Sequence, residues 1–197
     1  NIIYNLVGIG ADAFSIGTMG SDAGPYLEWM KKNNISTDYI EIIKNSYTAQ
    51  AYITTDQNAN QITTFHPGAM QYSNQVKIPD NGSITLGLIS PDGRDGMIDH
   101  TKQLIDMKVP YVFDPGQGMP MFNKDELSFF SDNASWIIMN DYEFKMYNDI
   151  TGLTPSDIVA NNKTLVITDG DNGSNIFTVD QKLNISTPKV KNPKDPT

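Results

Sequence analysis

Trp136-Ile137-Ile138-Met139 runs without a break into Asn140-Asp141-Tyr142-Glu143, and this octet sets the pattern for the rest of the chain. Four consecutive apolar residues lack the alternation of a half-wetted strand, so they suit a strand buried on both faces of a parallel sheet. Asn140 then offers a side-chain oxygen at a helix N-cap, with the Glu143 carboxylate three residues on. That is the spacing of a reciprocal capping box, ahead of a helix carrying Phe144 and Tyr147. Similar apolar runs followed by turn residues recur at Ala13 to Ile16, Ile84 to Ile89, Tyr111 to Phe113 and Leu165 to Ile167. Between them Met97, Thr101, Leu104 and Ile105 fall at i, i+4, i+7 and i+8, a helical stripe with Asp92 available as cap and Lys108 in the last turn. Strand, turn and helix in repetition predict an α/β domain with a doubly wound, mostly parallel sheet.

A second texture interrupts it from Asp38 to Phe65. Tyr39 to Ile43, Tyr47 to Thr55 and Gln61 to Phe65 are β-prone, and Asp56 to Asn60 is a polar turn. They predict antiparallel strands with one wet side, a small β-lid beside the main sheet. A late hairpin, Asn175 to Val179 and Leu183 to Ser186, turns at Asp180-Gln181-Lys182.

Composition narrows the function. With no cysteine, the chain has no disulfide and no thiolate metal site, and two histidines, His66 and His100, are too few for a His-built zinc site. A net charge of −9 repels a nucleic-acid backbone, which argues against nucleic-acid binding. No apolar run approaches membrane-spanning length, and Asn1 to Gly10 lack a basic start and cleavage site, so the expectation is a soluble protein of a reducing cytoplasm.

Loops at the presumed C-terminal ends of the strands are where open α/β sheets bind ligands. Gly17, Gly20 and Gly24 with Pro25 either admit a ligand to the backbone or only form a strand-to-helix turn. Asp114, in Asp114-Pro115-Gly116-Gln117, puts a carboxylate at a strand tip, associated with magnesium or serving the turn. Asn140 and Glu143 either cap a helix or hold Mg²⁺ through water. Thr168-Asp169-Gly170-Asp171-Asn172-Gly173 can cradle phosphate with its amides, although it lacks the Lys-Ser/Thr pair of a P-loop. His66, before Pro67-Gly68-Ala69, is either a ligand contact or solvated, and His100 is expected on a helix surface.

In order along the chain these pieces resemble the PfkB carbohydrate-kinase family, and the resemblance spans essentially all 197 residues. Asn1-Ile2-Ile3 with Gly10 and Gly20 is similar to the tail of the family's first signature, departing from it at Ile3, where a small residue is usual. Asn140-x-x-Glu143 resembles its Asn-x-x-Glu motif, and Thr168-x-Gly170-x-x-Gly173 its nucleotide-side loop. Asp195-Pro196-Thr197 resembles the opening of the second signature, whose general-base aspartate would follow Thr197. Thr48-Ala49-Gln50-Ala51, the stretch from Asn60 to Ala69, Ser90 to Arg94 and Asp114 to Gln117 are similar to a bacterial adenosine kinase-like branch.

The resemblance implies a ribokinase-like fold and an ATP-dependent kinase that phosphorylates a hydroxyl of a sugar or nucleoside, adenosine favoured. It implies Mg²⁺ and ATP, with the acceptor on Asn1, Gln50, Phe65 and His66 and the nucleotide on Asn140, Thr168, Gly170 and Gly173. Glu143 would meet the metal through water, joined by Asp114. Residues 1–197 would be one incomplete domain lacking both ends of the family fold, with 38–65 forming a lid that pairs two subunits. The competing expectation is a non-catalytic sugar- or nucleoside-binding protein that keeps the kinase fold. A Rossmann-type dinucleotide enzyme is disfavoured, because Gly8-Ile9-Gly10 is not followed by the third glycine at the required place.

Overall fold

The computed structural model describes residues 1–57 and 61–189, so Asn60 and Asp195-Pro196-Thr197 lie outside the described residues. Two compact units divide the chain. Asn1–Asn81 with Asp92–Gln103 form the first, and Gly82–Pro91 with the chain from Leu104 onward form the second.

The first unit begins with helix α1 (Ile2–Gly8), strand β1 (Gly17–Gly20), helix α2 (Gly24–Lys32) and strand β2 (Ile40–Ile43). The strand expected at Ala13 to Ile16 lies four residues later. The earlier stretch contributes only the bridge Phe14↔Ser36, and the ladder opens where the Gly17 amide donates to the Tyr39 carbonyl. A second correction concerns Tyr39 to Ile43, expected in an antiparallel lid. β2 pairs parallel to β1, as two neighbouring strands must when a helix carries the chain across between them. Pro25 starts α2, where a missing N–H costs nothing, and Lys31 and Lys32 complement the dipole at its end.

The expected antiparallel hairpin forms, with β3 (Gln50–Thr55) antiparallel to β4 (Gln61–His66) from Gln50↔His66 to Thr55↔Gln61. Neither face is covered, however. Only Gln50 of the two strands is even half-buried, where one sheltered side was expected. A 3₁₀ segment, Gly68–Gln75, ties the hairpin root to β1: the Ala69 amide donates to Tyr47 O at 2.8 Å and Thr18 Oγ1 to Ala69 O at 2.6 Å.

Helix α3 (Arg94–Asp106) follows. It stops short of Lys108, which lies beyond the last turn at φ 57°, because Val109 precedes Pro110 and a residue before proline disfavours helix. His100, expected at the surface, is buried; its Nε2 lies 2.9 Å from Val76 O and, facing a carbonyl, must donate. Gly96 lets the helix approach the buried Ser73, where any Cβ would enter the hydroxyl. Burial raises the Asp92 carboxyl above its ordinary range, against lowering by the Gly93 amide, the Ser73 hydroxyl and the charge on His100.

A raised aspartate means the folded state holds the proton longer than the unfolded one, so Asp92 erodes stability as pH rises from about 4 towards neutrality. Asp92→Asn is therefore expected to gain melting temperature relative to wild type as pH rises through that window. Paired thermal melts across the window check it, and a constant difference would refute it.

The second unit is a six-stranded sheet in the order β10-β9-β8-β7-β6-β5. β5 (Gly87–Ile89), β6 (Tyr111–Phe113), β7 (Trp136–Asn140) and β8 (Thr164–Thr168) are parallel, and β9 (Ser174–Phe177) and β10 (Lys182–Ile185) extend it antiparallel. β5 is shorter than the expected Ile84 to Ile89. Helices α4 (Lys124–Asn133), α5 (Asp141–Thr151) and α6 (Pro155–Val159) each begin with a complete capping box. Phe113, Phe130, Leu127, Ile137, Tyr147 and Leu165 are fully buried, each worth about 1.5–3 kcal/mol over exposure. Buried Lys163 donates to Ser131 O at 2.7 Å and Asp132 O at 2.8 Å, satisfying carbonyls in the last turn of α4.

Candidate functional site

A cavity of about 410 Å³ opens at the C-terminal ends of β6, β7 and β8, with Asp114, Gly116, Gln117, Asn140, Glu143 and Thr168 in its wall. The capping box at its floor is fully made: Asn140 Oδ1 accepts from the Glu143 amide at 2.7 Å, and Glu143 Oε2 accepts from the Asn140 amide at 2.8 Å. The helix cap and a place in the cavity wall thus coexist. The cap fixes both side chains in the wall of the cavity.

Asp114 sits half-buried opposite. Burial pushes its carboxyl up, the negative charge of Glu143 pushes it further, and the Gly116 amide opposes both. Gly116 adopts φ 44°, and a Cβ there would come within 2.5 Å of Pro91 Cγ, so only glycine makes this turn.

Among the described residues no lysine or arginine lines the cavity. Its two carboxylates suit a hard divalent cation that keeps waters and takes further oxygens from a phosphate. Among the described residues no three His, Cys, Asp or Glu side chains gather into a metal-holding group.

Of the glycine-rich loop, only Thr168 reaches the cavity wall. Gly170 (φ 45°) and Gly173 (φ 91°) lie outside that lining, around a 3₁₀ turn closed by the Asp169 amide donating to Gly173 O at 2.8 Å. A Cβ on Gly173 would enter the Ile185 carbonyl, so strand packing already demands that glycine.

The first unit carries its own cavity, about 370 Å³, lined by Tyr47, Gln50, Tyr52 and His66 at the hairpin root. Gln50 and His66 are register partners. Phe65 pairs with Ala51 one position along and therefore faces the opposite side of the hairpin. Asn1 is exposed at the start of α1, its carbonyl accepting from Asn5 Nδ2 at 3.0 Å, and does not line this cavity.

Asp22 anchors the root. Its Oδ1 accepts from both the amide and the hydroxyl of Thr48 at 2.8 Å, while Thr48 Oγ1 accepts from the Gly20 amide at 3.0 Å. The Thr48 amide, then its hydroxyl, hold the Asp22 carboxyl below its ordinary range. Sequence reasoning missed Asp22, Tyr47 and Tyr52. The signal available was two tyrosines on one β-prone run together with the paired Ser21-Asp22 turn.

A mostly parallel α/β sheet with a carboxylate-bearing cavity at its strand tips, accompanied by a β-hairpin with a cavity of its own, defines a ribokinase-like protein. The chain belongs to the pfkB family of carbohydrate kinases, whose family model matches residues 1–197. It is 40% identical to the nucleoside kinase of Burkholderia thailandensis, whose structure in complex with inosine matches with a TM-score of 0.94 over 100% of this chain and 65% of that one. The same enzyme in complex with ADP-inosine gives a TM-score of 0.92 over 99% of this chain and 61% of that one, again at 40% identity. The nucleoside kinase of Methanocaldococcus jannaschii is 27% identical over 172 residues, 87% of this chain and 56% of that protein. The chain thus spans somewhat over half the length of the curated relative and under two thirds of the solved structures.

Proposed function

We propose that this chain is part of an ATP- and Mg²⁺-dependent nucleoside kinase. The observation that carries the proposal is the cavity at the tips of β6, β7 and β8. Two carboxylates stand there with no basic residue among the described ones, an arrangement that would repel a nucleotide unless a divalent cation joins them. The kinship with nucleoside kinases, one solved with inosine and with ADP-inosine, supports the substrate class.

Asp114 and Glu143 would hold the cation, directly or through water, and Mg²⁺ would offset the triphosphate charge. Asn140 and Thr168 would border the phosphates, with the amides of Gly170 and Gly173 alongside. Gln50 and His66 would contact the acceptor nucleoside, with Asn1 and Phe65 carried as further contacts. In the transfer, a bond forms between the acceptor oxygen and the γ-phosphorus, and the bond from that phosphorus to the bridging oxygen of ADP breaks as the hydroxyl loses its proton. No residue of this chain is given the role of general base. Positioning and electrostatics supply most of the rate in such transfers.

The uncovered faces and edges of β3 and β4 support a homodimer formed through the lid, which light scattering of the full-length protein tests. No helix among the described residues is long and apolar enough to cross a membrane, and a cytoplasmic location is proposed with the activity.

The test is ADP release by the full-length protein with MgATP against adenosine, inosine, other nucleosides, ribose, fructose and fructose 6-phosphate. Turnover with nucleosides is expected. Turnover with sugars alone would move the substrate class, and binding without turnover would favour a non-catalytic binding protein.

A further inference from the structure

The tetrapeptide Asp-Asn-Gly-Ser occurs twice in the chain, as Asp80-Asn81-Gly82-Ser83 and as Asp171-Asn172-Gly173-Ser174, and asparagine precedes glycine nowhere else. An asparagine side chain can be attacked by the main-chain nitrogen of the next residue. Glycine hinders that attack least, because no Cβ stands beside the nitrogen. Identical neighbours give the two asparagines the same intrinsic chemistry, so any difference between them is the work of the fold.

The fold treats the two glycine nitrogens in opposite ways. Gly82 is exposed, belongs to no helix or strand, and a Cβ there would meet nothing within 4 Å. Its amide donates no hydrogen bond among the described residues. Gly173 is buried, and its amide donates to Gly170 O at 3.1 Å. Its carbonyl accepts from the Asp169 amide at 2.8 Å, and a Cβ on it would run into the Ile185 carbonyl of β10. Asn172 is held as well: its Nδ2 donates to Asp169 Oδ2 at 3.2 Å and its amide to Asp169 O at 2.8 Å. Closing a ring at Asn172 would therefore break the 3₁₀ turn and pull Gly173 from the start of β9, whereas at Asn81 the ring closes in an irregular surface loop.

We propose that Asn81 is a site of spontaneous covalent modification, converted through a succinimide to isoaspartate and aspartate, and that the fold spares Asn172. Water is the only co-reactant. Hydroxide takes the proton of the Gly82 amide, the nitrogen forms a bond to Cγ of Asn81, the Cγ–Nδ2 bond breaks, and ammonia leaves with a proton from water. A second water then opens the ring at one of its two carbonyls. Opening at the main-chain carbonyl leaves isoaspartate, with an additional methylene in the main chain, and opening at the side-chain carbonyl leaves aspartate. Either product places a new negative charge beside Asp80, where the chain passes from the first compact unit to the second.

The full-length protein, incubated at physiological temperature in mildly alkaline buffer and digested with trypsin, tests this. The two sites fall in separate peptides, 78–94 and 164–182. Each conversion adds about one dalton, which fragmentation assigns to a single asparagine. In the native protein Asn81 is expected to convert at least about tenfold faster than Asn172, the scale of one hydrogen bond and the local opening needed to release it. In guanidinium chloride, where the fold is gone and the shared tetrapeptide remains, the two rates should converge to within about threefold. Asn81→Gln lies outside both cavities and should abolish the product in peptide 78–94, since the longer side chain must close a larger ring, while leaving the Asn172 rate as it was. A native ratio no greater than the denatured one, faster conversion at Asn172, or no conversion at Asn81 overturns the proposal.

Discussion

Glu143→Gln in the full-length protein is expected to keep its melting temperature within about 2 °C of wild type while losing turnover by about 10- to 100-fold and needing more Mg²⁺ for half-maximal rate. The substitution separates the cap that Glu143 makes from the metal role proposed for it. As a cap, Oε2 accepts from the Asn140 amide at 2.8 Å, and glutamine at the third helical position can make the same bond with its own oxygen. In the proposed metal role, opposite Asp114, the residue would act through its negative charge, which glutamine removes. Glu143→Ala loses both, so its larger defect mixes a cap worth about 1 kcal/mol with any metal effect. A Mg²⁺ titration of the glutamine variant that superimposes on wild type would leave Glu143 a helix cap and nothing more. Normal turnover in the alanine variant would say the same more strongly.

The cap marks how far the sequence carries. The Asn140-x-x-Glu143 spacing predicts the cap from local chemistry alone, because every atom of a capping box lies within four residues. The strands of the second unit were legible for a similar reason: an unbroken apolar run between turns has few other places to go. What was missed depends on contacts distant in sequence. His100 reads as a surface residue until Val76, 24 positions away, supplies a carbonyl for its Nε2. β1 slides from Ala13 to Gly17 because β2 and the Tyr47-Thr48 backbone meet it there, beyond any local pattern. Tyr52 looks like strand filling until its hydroxyl is seen on Gln50. In the Thr168 loop, Gly173 is explained by the approach of Ile185 in β10, which a motif match does not distinguish from phosphate binding.

The three glycines of Gly17 to Gly24, indistinguishable as turn formers in the sequence, are expected to differ sharply under the same substitution. A Cβ on Gly24 meets nothing within 4 Å at the first position of α2, so Gly24→Ala should be neutral or stabilising by about 0.5 kcal/mol through reduced unfolded-chain entropy. Gly17→Ala likewise meets open space. Gly20→Ala drives its methyl into the backbone of Tyr47 and Thr48, where no flexible side chain can yield. Overpacking against backbone costs about 3 kcal/mol, a fall in melting temperature of roughly 10 °C for a chain of this size. Relief requires moving the Tyr47-Thr48 segment, which stretches the bond from the Gly20 amide to Thr48 Oγ1 and the bonds that fix Asp22. Tyr47 lines the hairpin cavity, so the same displacement should weaken nucleoside binding in whatever fraction stays folded. Thermal melts and nucleoside titrations of the two alanine variants side by side decide the matter. Matching behaviour at positions 20 and 24 would mean that Gly20 serves only the turn, and that the root of the hairpin does not govern its cavity.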